Sequence, residues 1–311
     1  MFPAQRTSCS NERPPFRYHH NRLHCESVAL EQLTTEYGTP LYVYSAESLR
    51  ANIVAMQAAF AALQPLICFA VKANDNLVIL RTFAAARLGF DVVSGGELHR
   101  AQLAGAQPGR CAFAGAGKTD AESRRKQRVP LRLNPGVTPD THRYIVTGSA
   151  ESKFGLPPED ARRLADAQWP NLVLRGAHIH IGSELPETAP LLTALDCALE
   201  FLEALPANWD TLDIGGGFPV QYRPEGSMPT VPEFAKAIAA RLQAFPRRLR
   251  LIVEPGRSLL AVMDVGAYGY SMTSHYNAHP RPAEVLVKGD SYRLIRRRES
   301  YADLNAADVR E

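Results

Sequence analysis

Ala70-Val71-Lys72-Ala73-Asn74-Asp75-Asn76 follows the apolar run Pro65 to Phe69, and the reading of this junction decides the fold. An unbroken apolar run predicts a parallel strand buried on both faces, and it sets a single lysine at the strand's C-terminal end. In a (β/α)8 barrel that end of the sheet carries the chemistry. A lysine desolvated there gives up its proton more readily and can form a Schiff base. A lone lysine in a turn is ordinarily just solvated, so Lys72 gains meaning only from the motifs that come after it.

Outward from this junction the pattern alternates strand and helix. Strands are expected at Leu66 to Val71, Phe90 to Val93, Cys111 to Ala114, Val129 to Leu133, Leu172 to His180, Thr211 to Ile214 and Arg248 to Val253. Leu77 to Leu88, Glu97 to Ala104, Leu191 to Leu205 and Phe234 to Phe245 carry apolar residues at helical spacing between them. Repeated βα units point to a parallel α/β fold, and no Gly-x-Gly-x-x-Gly turn follows the first strand, which favours a barrel over a dinucleotide-binding sheet. The expected strands fall one short of the eight that closure needs. Between Gly115 and Val129 the chain runs Ala116 to Arg128 with almost no apolar face, although a parallel crossover normally buries one side of a helix. One βα unit is therefore missing or the barrel is broken at this point. Leu41 to Tyr44 reads as an extended segment outside the barrel, while Ala283 to Val287 and Tyr292 to Ile295, split by Lys288-Gly289-Asp290, read as a hairpin. The expected organisation is a disordered leader over 1–15, an extended segment over 16–45 that belongs with a β domain, a barrel over 46–260 and a truncated β domain over 261–311.

Composition excludes several classes. A chain of 311 residues, 45% hydrophobic, can bury a sizeable core, and a net charge of +3 is too small to imply nucleic acid or a membrane surface. The basic run Arg293 to Arg298 is read as an exposed strand end. Cys9, Cys25, Cys68, Cys111 and Cys197 are odd in number and lack CxxC spacing, so neither a disulfide framework nor a metal site is expected, and a reducing cytoplasm is the natural compartment. No run is long enough to span a membrane.

Four segments join Lys72. Gly176 to Ser183 ends a strand with His178 and His180 at alternate positions on one face, where they could be metal ligands, a stacking group with a neighbour, or satisfied core residues. Asp213-Ile214-Gly215-Gly216-Gly217-Phe218 places three glycines after a strand, a tight turn or an anion cradle. Glu254-Pro255-Gly256-Arg257 sets a carboxylate and a guanidinium at the same mouth, and Asp264 to Gly269 supplies Tyr268 among small neighbours. An amine, an imidazole, a glycine loop, a carboxylate and an arginine at successive strand ends suit an aldehyde that carries a phosphate and a basic ring nitrogen, as pyridoxal 5'-phosphate (PLP) does.

Together with Gly89 to Leu98, Glu151-Ser152-Lys153-Phe154-Gly155, Gly266 to Tyr268 and the closing stretches Ser271 to Asn277 and Arg281 to Val287, this ordered set resembles the fold-type III PLP-dependent decarboxylases. Among them it is most similar to the branch that releases CO2 from meso-2,6-diaminopimelate to give L-lysine, and the likeness runs from about Phe16 to about Leu304. The resemblance implies that Lys72 holds PLP through its amine, that His180 stacks on the ring, and that Ser183, Gly217, Glu254, Pro255, Gly256, Arg257 and Tyr268 hold the cofactor, chiefly at its phosphate. It implies that Glu254 faces the pyridine nitrogen, that Arg257 and Tyr268 also reach the substrate, and that intact members form homodimers. Lys72, His180 and Glu254 are the implied catalytic set.

Two departures from the family stand out. A segment is absent between Gly117-Lys118-Thr119 and Leu131 to Pro135, and a longer one between Leu260-Ala261 and Val262-Met263-Asp264. In the family the second carries most of the C-terminal β domain, residues for the distal end of the substrate, and a Cys-Glu-Ser-Gly motif that completes the partner's site. Cys25-Glu26-Ser27 lies too early in the chain to replace it. Impaired activity is therefore expected. A non-catalytic PLP-binding protein is the second reading, and a racemase is disfavoured because Glu254 stands where resembling racemases place arginine.

Overall fold

The computed structural model describes residues 14–115, 127–138, 147–148, 152–167, 169, 172–220, 228–260 and 267–307. The expected leader over 1–15 thus lies almost wholly outside the described residues, as do the polar connection over 116–126 and residues 261–266.

The chain opens with β1 (Phe16–His19), β2 (Arg22–Cys25) and β3 (Val28–Ala29), which form a small antiparallel sheet, followed by α1 (Leu30–Tyr37) and β4 (Leu41–Ser45). The barrel elements come next: α2 (Ala46–Ala59), β5 (Leu66–Ala70), α3 (Leu77–Ala85), β6 (Gly89–Val92), α4 (Gly95–Leu103), β7 (Cys111–Phe113), β8 (Gln127–Arg132), α5 (Pro158–Ala165), β9 (Leu172–His178), α6 (Ala189–Glu203), β10 (Thr211–Asp213), α7 (Val231–Ala244), β11 (Arg250–Val253) and α8 (Arg257–Leu260). The C-terminal part holds β12 (Ala283–Lys288), β13 (Ser291–Arg296) and α9 (Tyr301–Leu304).

Local chemistry explains these boundaries. Every residue of β5 is buried, as a strand covered on both faces requires. Asn76 caps α3 by accepting from the Val78 N–H at 2.9 Å, and Ser94 caps α4 by accepting the Glu97 N–H at 3.2 Å, while the Glu97 carboxylate accepts the Val93 N–H at 2.8 Å. Helix α6 buries Leu191, Ala194, Leu195, Ala198, Leu199 and Leu202, one stripe at helical spacing. Aromatic contacts tie the helical layer to the sheet, with Phe69 stacked on Phe83 at 4.1 Å and Phe218 set edge-on against both Phe60 and Phe234 at 5.6 Å.

The barrel strands form one parallel sheet of seven, in the order β7-β6-β5-β11-β10-β9-β8. The last strand joins the first, with Ile252 opposite Leu66 and Val253 opposite Ile67, as barrel closure requires. Among the described residues the ring is interrupted between β7 and β8, the two strands that flank the connection found too polar to cover a sheet. Among the described residues the sheet is a barrel short of one βα unit, and the shortfall sits where the sequence places it.

Strand β12 pairs in parallel with β4 and antiparallel with β13, whose turn passes through Gly289 at φ +63°. One sequence reading is corrected here. Within the basic run, Arg296 is no solvated strand end: it bonds the fully buried Glu284 at 2.9 Å and Asp75 at 2.8 Å, and lies 4.2 Å over the Tyr270 ring. Glu284 in turn accepts from Asn76 Nδ2 at 2.8 Å and from the Tyr44 hydroxyl at 2.6 Å. The β12–β13 hairpin is thereby fastened to the loop that follows Lys72. Among the described residues no helix is long and apolar enough to cross a membrane.

Candidate active site

Lys72 leaves β5 on a single 3-10 turn, Val71–Ala73, and Asn74 ends that turn by accepting the Asn76 N–H on its side chain at 2.9 Å. The Lys72 Nζ donates to Asp91 Oδ2 at 2.9 Å. Asp91 lies one residue before the end of β6 and is fully buried, whereas the lysine side chain is 39% exposed at the mouth of the ring. Burial alone would lower the lysine pKa, but the charge and hydrogen bond of Asp91 outweigh it and hold the amine up at about 12. Without a ligand the lysine is therefore an ammonium, contrary to the expectation of an easily lost proton. Asp91 changes the outcome, and as a charge inside an apolar strand it left a signal that the motif Gly89-Phe90-Asp91 carried without a role.

Beside this pair lie His178, Asp213 and Glu254, all buried, with ligating atoms within 4.8 Å of one another. Such a set could hold a cation, and it brings two buried carboxyls against one imidazole. Asp213 also accepts the Gly215 N–H at 2.9 Å. Burial first, then the mutual charges of the carboxyls, raise Asp213 to about 7 and Glu254 well above the carboxylate range. His178 Nε2 is 3.8 Å from Glu254, too far for a hydrogen bond, and burial with Arg132, His180 and Lys72 nearby keeps the imidazole neutral.

The glycine loop explains its own composition. Gly215 adopts φ +64°, and a Cβ there would stand 2.6 Å from His180 Nδ1. A Cβ on Gly216 would meet the Glu254 carbonyl at 2.4 Å, and Gly217 at φ +91° passes against the Gly182 carbonyl. The loop thus folds directly onto the strand ends that carry His180 and Glu254, with backbone N–H groups at their edge. The Gly216 N–H donates to His180 Nδ1 at 3.3 Å, while burial holds that imidazole down at about 3. The Glu254 N–H donates to the Gly215 carbonyl at 2.7 Å, tying the glycine loop to the end of β11, and the Ala70 N–H donates to the Pro255 carbonyl at 3.1 Å, tying that end to the Lys72 strand.

Arg257 opens α8 and pairs with Glu184 at 2.6 Å. Its guanidinium lies 5.7 Å over the Tyr268 ring. Tyr268 sits at φ +60°, and its N–H is fixed to the Ala73 carbonyl at 2.8 Å. A Cβ on Gly256 would lie 3.1 Å from the Tyr268 hydroxyl and 3.4 Å from Ala70 and Ala73, so a side chain there would crowd the approach of the Arg257 turn to the Lys72 turn. Ser183, half-buried, follows Gly182 at the same mouth. Lys72, His180, Ser183, Gly217, Glu254, Pro255, Gly256, Arg257 and Tyr268 therefore converge at the C-terminal end of the sheet. Asp91, Asp213 and Glu184 join them unforeseen. A cavity of about 490 Å³ lies at the opposite end, lined by Pro65, Leu66, Arg110, Asp210, Arg250 and Leu251, remote from this chemistry. Asp264 and Gly266 lie outside the described residues. Cys25 is fully buried and its thiol is pushed far up by burial, so the early Cys-Glu-Ser offers no exposed acid.

Comparison with known proteins bears on the same region. The family described as "Pyridoxal-dependent decarboxylase, pyridoxal binding domain" matches residues 46–128 and 119–261, the match breaking at the polar connection. Diaminopimelate decarboxylase of Neisseria meningitidis serogroup B is 34% identical over 395 positions, covering 89% of this chain and 95% of the relative. The Aquifex aeolicus enzyme of the same name is 30% identical, covering 93% and 96%. Among solved structures, diaminopimelate decarboxylase of Helicobacter pylori with L-lysine superposes at a TM-score of 0.83 with 26% identity, covering 89% of this chain and 98% of that one. The M. jannaschii enzyme with L-lysine reaches 0.84 with 26% identity, covering 95% and 98%. An alignment of 395 positions against a chain of 311 residues leaves internal stretches of the relative with no counterpart here.

Proposed function

The chain belongs to the pyridoxal-dependent decarboxylase family, and on that premise we propose that it is a carboxy-lyase that takes CO2 from meso-2,6-diaminopimelate to leave L-lysine. The observation that carries this reading is the meeting of Lys72, Glu254 and the Gly215 to Gly217 loop at one end of the sheet, in a chain alignable along nearly all of the Neisseria relative. A homodimer in the cytoplasm belongs to the same reading.

The residues present suit PLP. One oxygen of Asp91 and the Nε2 of His178 are buried without a hydrogen-bond partner, which is uncommon in a finished polar site and natural in one built around a polar ligand. The glycine turn leaves room that a side chain would fill, and Lys72 is the amine at the mouth. Lys72 would hold the aldehyde carbon, His180 would cover the ring, and Ser183, Gly217, Pro255, Gly256, Arg257 and Tyr268 would hold the phosphate side. Glu254 would face the ring nitrogen. When bound, PLP supplies the sink for the electron pair left as CO2 departs. Asp91 keeps Lys72 charged until it is engaged. His180, neutral and anchored by Gly216, presents an uncharged face, and Arg257 with Tyr268 would orient the substrate, Arg257 first exchanging its hold on Glu184.

A second reading, a PLP-binding protein without turnover, is favoured by the interrupted ring and by the missing partner-site motif. Purified chain incubated with PLP and reduced with borohydride should carry the cofactor on the Lys72 peptide, and CO2 release from meso-diaminopimelate then separates the two readings. Label on a different lysine would overturn the site, while label at Lys72 with no CO2 at all would favour the second reading.

A further inference from the structure

The roles above leave unexplained a carboxylate sealed beneath the C-terminal hairpin. Glu284 of β12 is 0% exposed, on a strand whose other residues are apolar as far as Val287. Its two oxygens serve three segments. Oε1 accepts the Tyr44 hydroxyl of β4 at 2.6 Å, while Oε2 takes Asn76 Nδ2 at 2.8 Å and Arg296 Nε of β13 at 2.9 Å. Replacing a buried ion pair by apolar residues of similar volume is often neutral or stabilising, so stability is a weak reason for this one. What apolar residues could not do is hold donors at fixed points along a loop.

The points held lie next to Lys72. Asn74, Asp75 and Asn76 are the second, third and fourth residues after it, and each is bound to the pair or to its partner Tyr44. Asn74 Nδ2 donates to the Tyr44 hydroxyl at 3.0 Å, Asn76 reaches Glu284 directly, and Asp75 takes Arg296 at 2.8 Å while its other oxygen lies 3.3 Å from Arg100 of α4. The guanidinium of Arg296 also covers Tyr270, two residues after Tyr268. That second segment is pinned to the same turn, since the Tyr268 N–H and the Ser271 hydroxyl both donate to the Ala73 carbonyl, at 2.8 and 3.4 Å. From outside the candidate site, Glu284 and Arg296 thus fix the turn that carries Lys72 and the segment that carries Tyr268 against each other.

We propose that Glu284 and Arg296 are positioning residues that hold the Lys72 and Tyr268 segments in the relation that lets the lysine amine meet a bound aldehyde. The inference rests on the reading that Lys72 takes up PLP. The pair acts through Asn74, Asp75 and Asn76 and touches neither cofactor nor substrate, which gives the short C-terminal hairpin a part in the chemistry of this chain. Orientation is what such a clamp governs, and a misplacement of about 1 Å can cost about a hundredfold in rate.

Glu284→Gln keeps the shape and removes the charge, and Tyr44→Phe removes only the hydroxyl that joins Asn74 to Glu284. Glu233→Ala, which strips the carboxylate that accepts the Thr230 N–H at the head of α7, is the control for general loss of stability. Hydrogen exchange of the cofactor-free full chain, resolved by peptide, should quicken about tenfold or more over 72–78 and 268–271 in Glu284→Gln, in the same direction but less in Tyr44→Phe, and in neither stretch in the control. Capture of PLP by Lys72, followed at saturating cofactor and fixed by borohydride, should slow about tenfold or more in Glu284→Gln, while the half-saturating PLP concentration moves by less than about threefold because the phosphate-side contacts remain. A merely structural role would instead quicken exchange throughout the chain, β9 and β10 included, and that result overturns the proposal. Unchanged exchange over 72–78, or capture as fast as in the parent, also overturns it, and Tyr44→Phe decides the matter should Glu284→Gln not fold. A parent whose Lys72 never captures PLP, with 72–78 loosening as expected in the variants, would sink the functional reading and the positioning role together and leave a structural clamp.

Discussion

Lys72 and Asp91 form a charge pair across two adjacent strand ends, Nζ to Oδ2 at 2.9 Å, and the acid is the fully buried partner. The pair sets the resting state of the amine. Replacing the acid by Asp91→Asn removes the main charge that opposes deprotonation and leaves burial opposed only by Tyr268 and Glu254. Lys72 in that variant should react with an amine-directed acylating reagent at mildly alkaline pH at least tenfold faster than in the parent, a shift of one unit or more. Peptide mapping of the acylated chain measures it, and equal rates would remove Asp91 from the role.

Glu254→Ala should retain much of the PLP binding, because the glycine loop, Arg257 and Lys72 remain. Loss of a positioned acid typically costs about a hundredfold or more in rate. CO2 release should therefore fall by at least that factor while visible absorbance of the bound cofactor persists. A variant as fast as the parent would leave Glu254 without a catalytic part.

Stability should depend on pH through Asp213. Its folded pKa is raised from 3.8 to about 7, so its contribution is full below the ordinary value and is lost as pH rises from there to about 7. His180 acts in the opposite sense, its folded pKa being depressed from 6.5 to about 3, so that stability is lost as pH falls through that window. The difference between Asp213→Asn and the parent isolates the first effect. The variant should gain in melting temperature relative to the parent as pH rises from about 4 to about 7, and the gap should then stay level. A difference independent of pH would contradict the burial assigned to this acid.

The interrupted ring should limit turnover. With no pairing between β7 and β8 among the described residues, each leaves one edge of the sheet open, and such an edge favours aggregation. Turnover of meso-diaminopimelate should be far below the roughly ten per second typical of metabolic enzymes. Steady lysine production near that figure would show that the absent stretches are dispensable.

Strands β5 to β11 and the hairpin were legible because buried parallel strands are apolar runs and turns carry glycine. The boundaries moved by one or two residues: the seventh strand begins at Arg250 rather than Arg248, and the sixth stops at Asp213. Helix α2 escaped notice, since its weakly patterned, alanine-rich sequence buries only Leu49, Ile53 and Met56. The nine expected site residues lie together, but their electrostatics were not readable. Whether a buried lysine is charged depends on which strand stands beside it, and the pairing of β5 with β6 brings Asp91 against Lys72. For the same reason the neighbouring acids Asp213 and Glu254, well apart in sequence, become visible as a pair only once β10 and β11 are adjacent.

The union of β11 with β5 also has a bearing on the order in which the molecule is made. Leu66 and Ile252 come from opposite ends of the barrel sequence, and closing so long a loop has to wait until the strands between have collapsed. Lys72 stands on one side of that seam and Glu254 on the other. During synthesis the chain can therefore gather most of its sheet before it owns a site, and a nascent chain stalled short of β11 would hold its lysine with no acid to answer it. The ability to take up a cofactor arrives late and all at once, with the final strand.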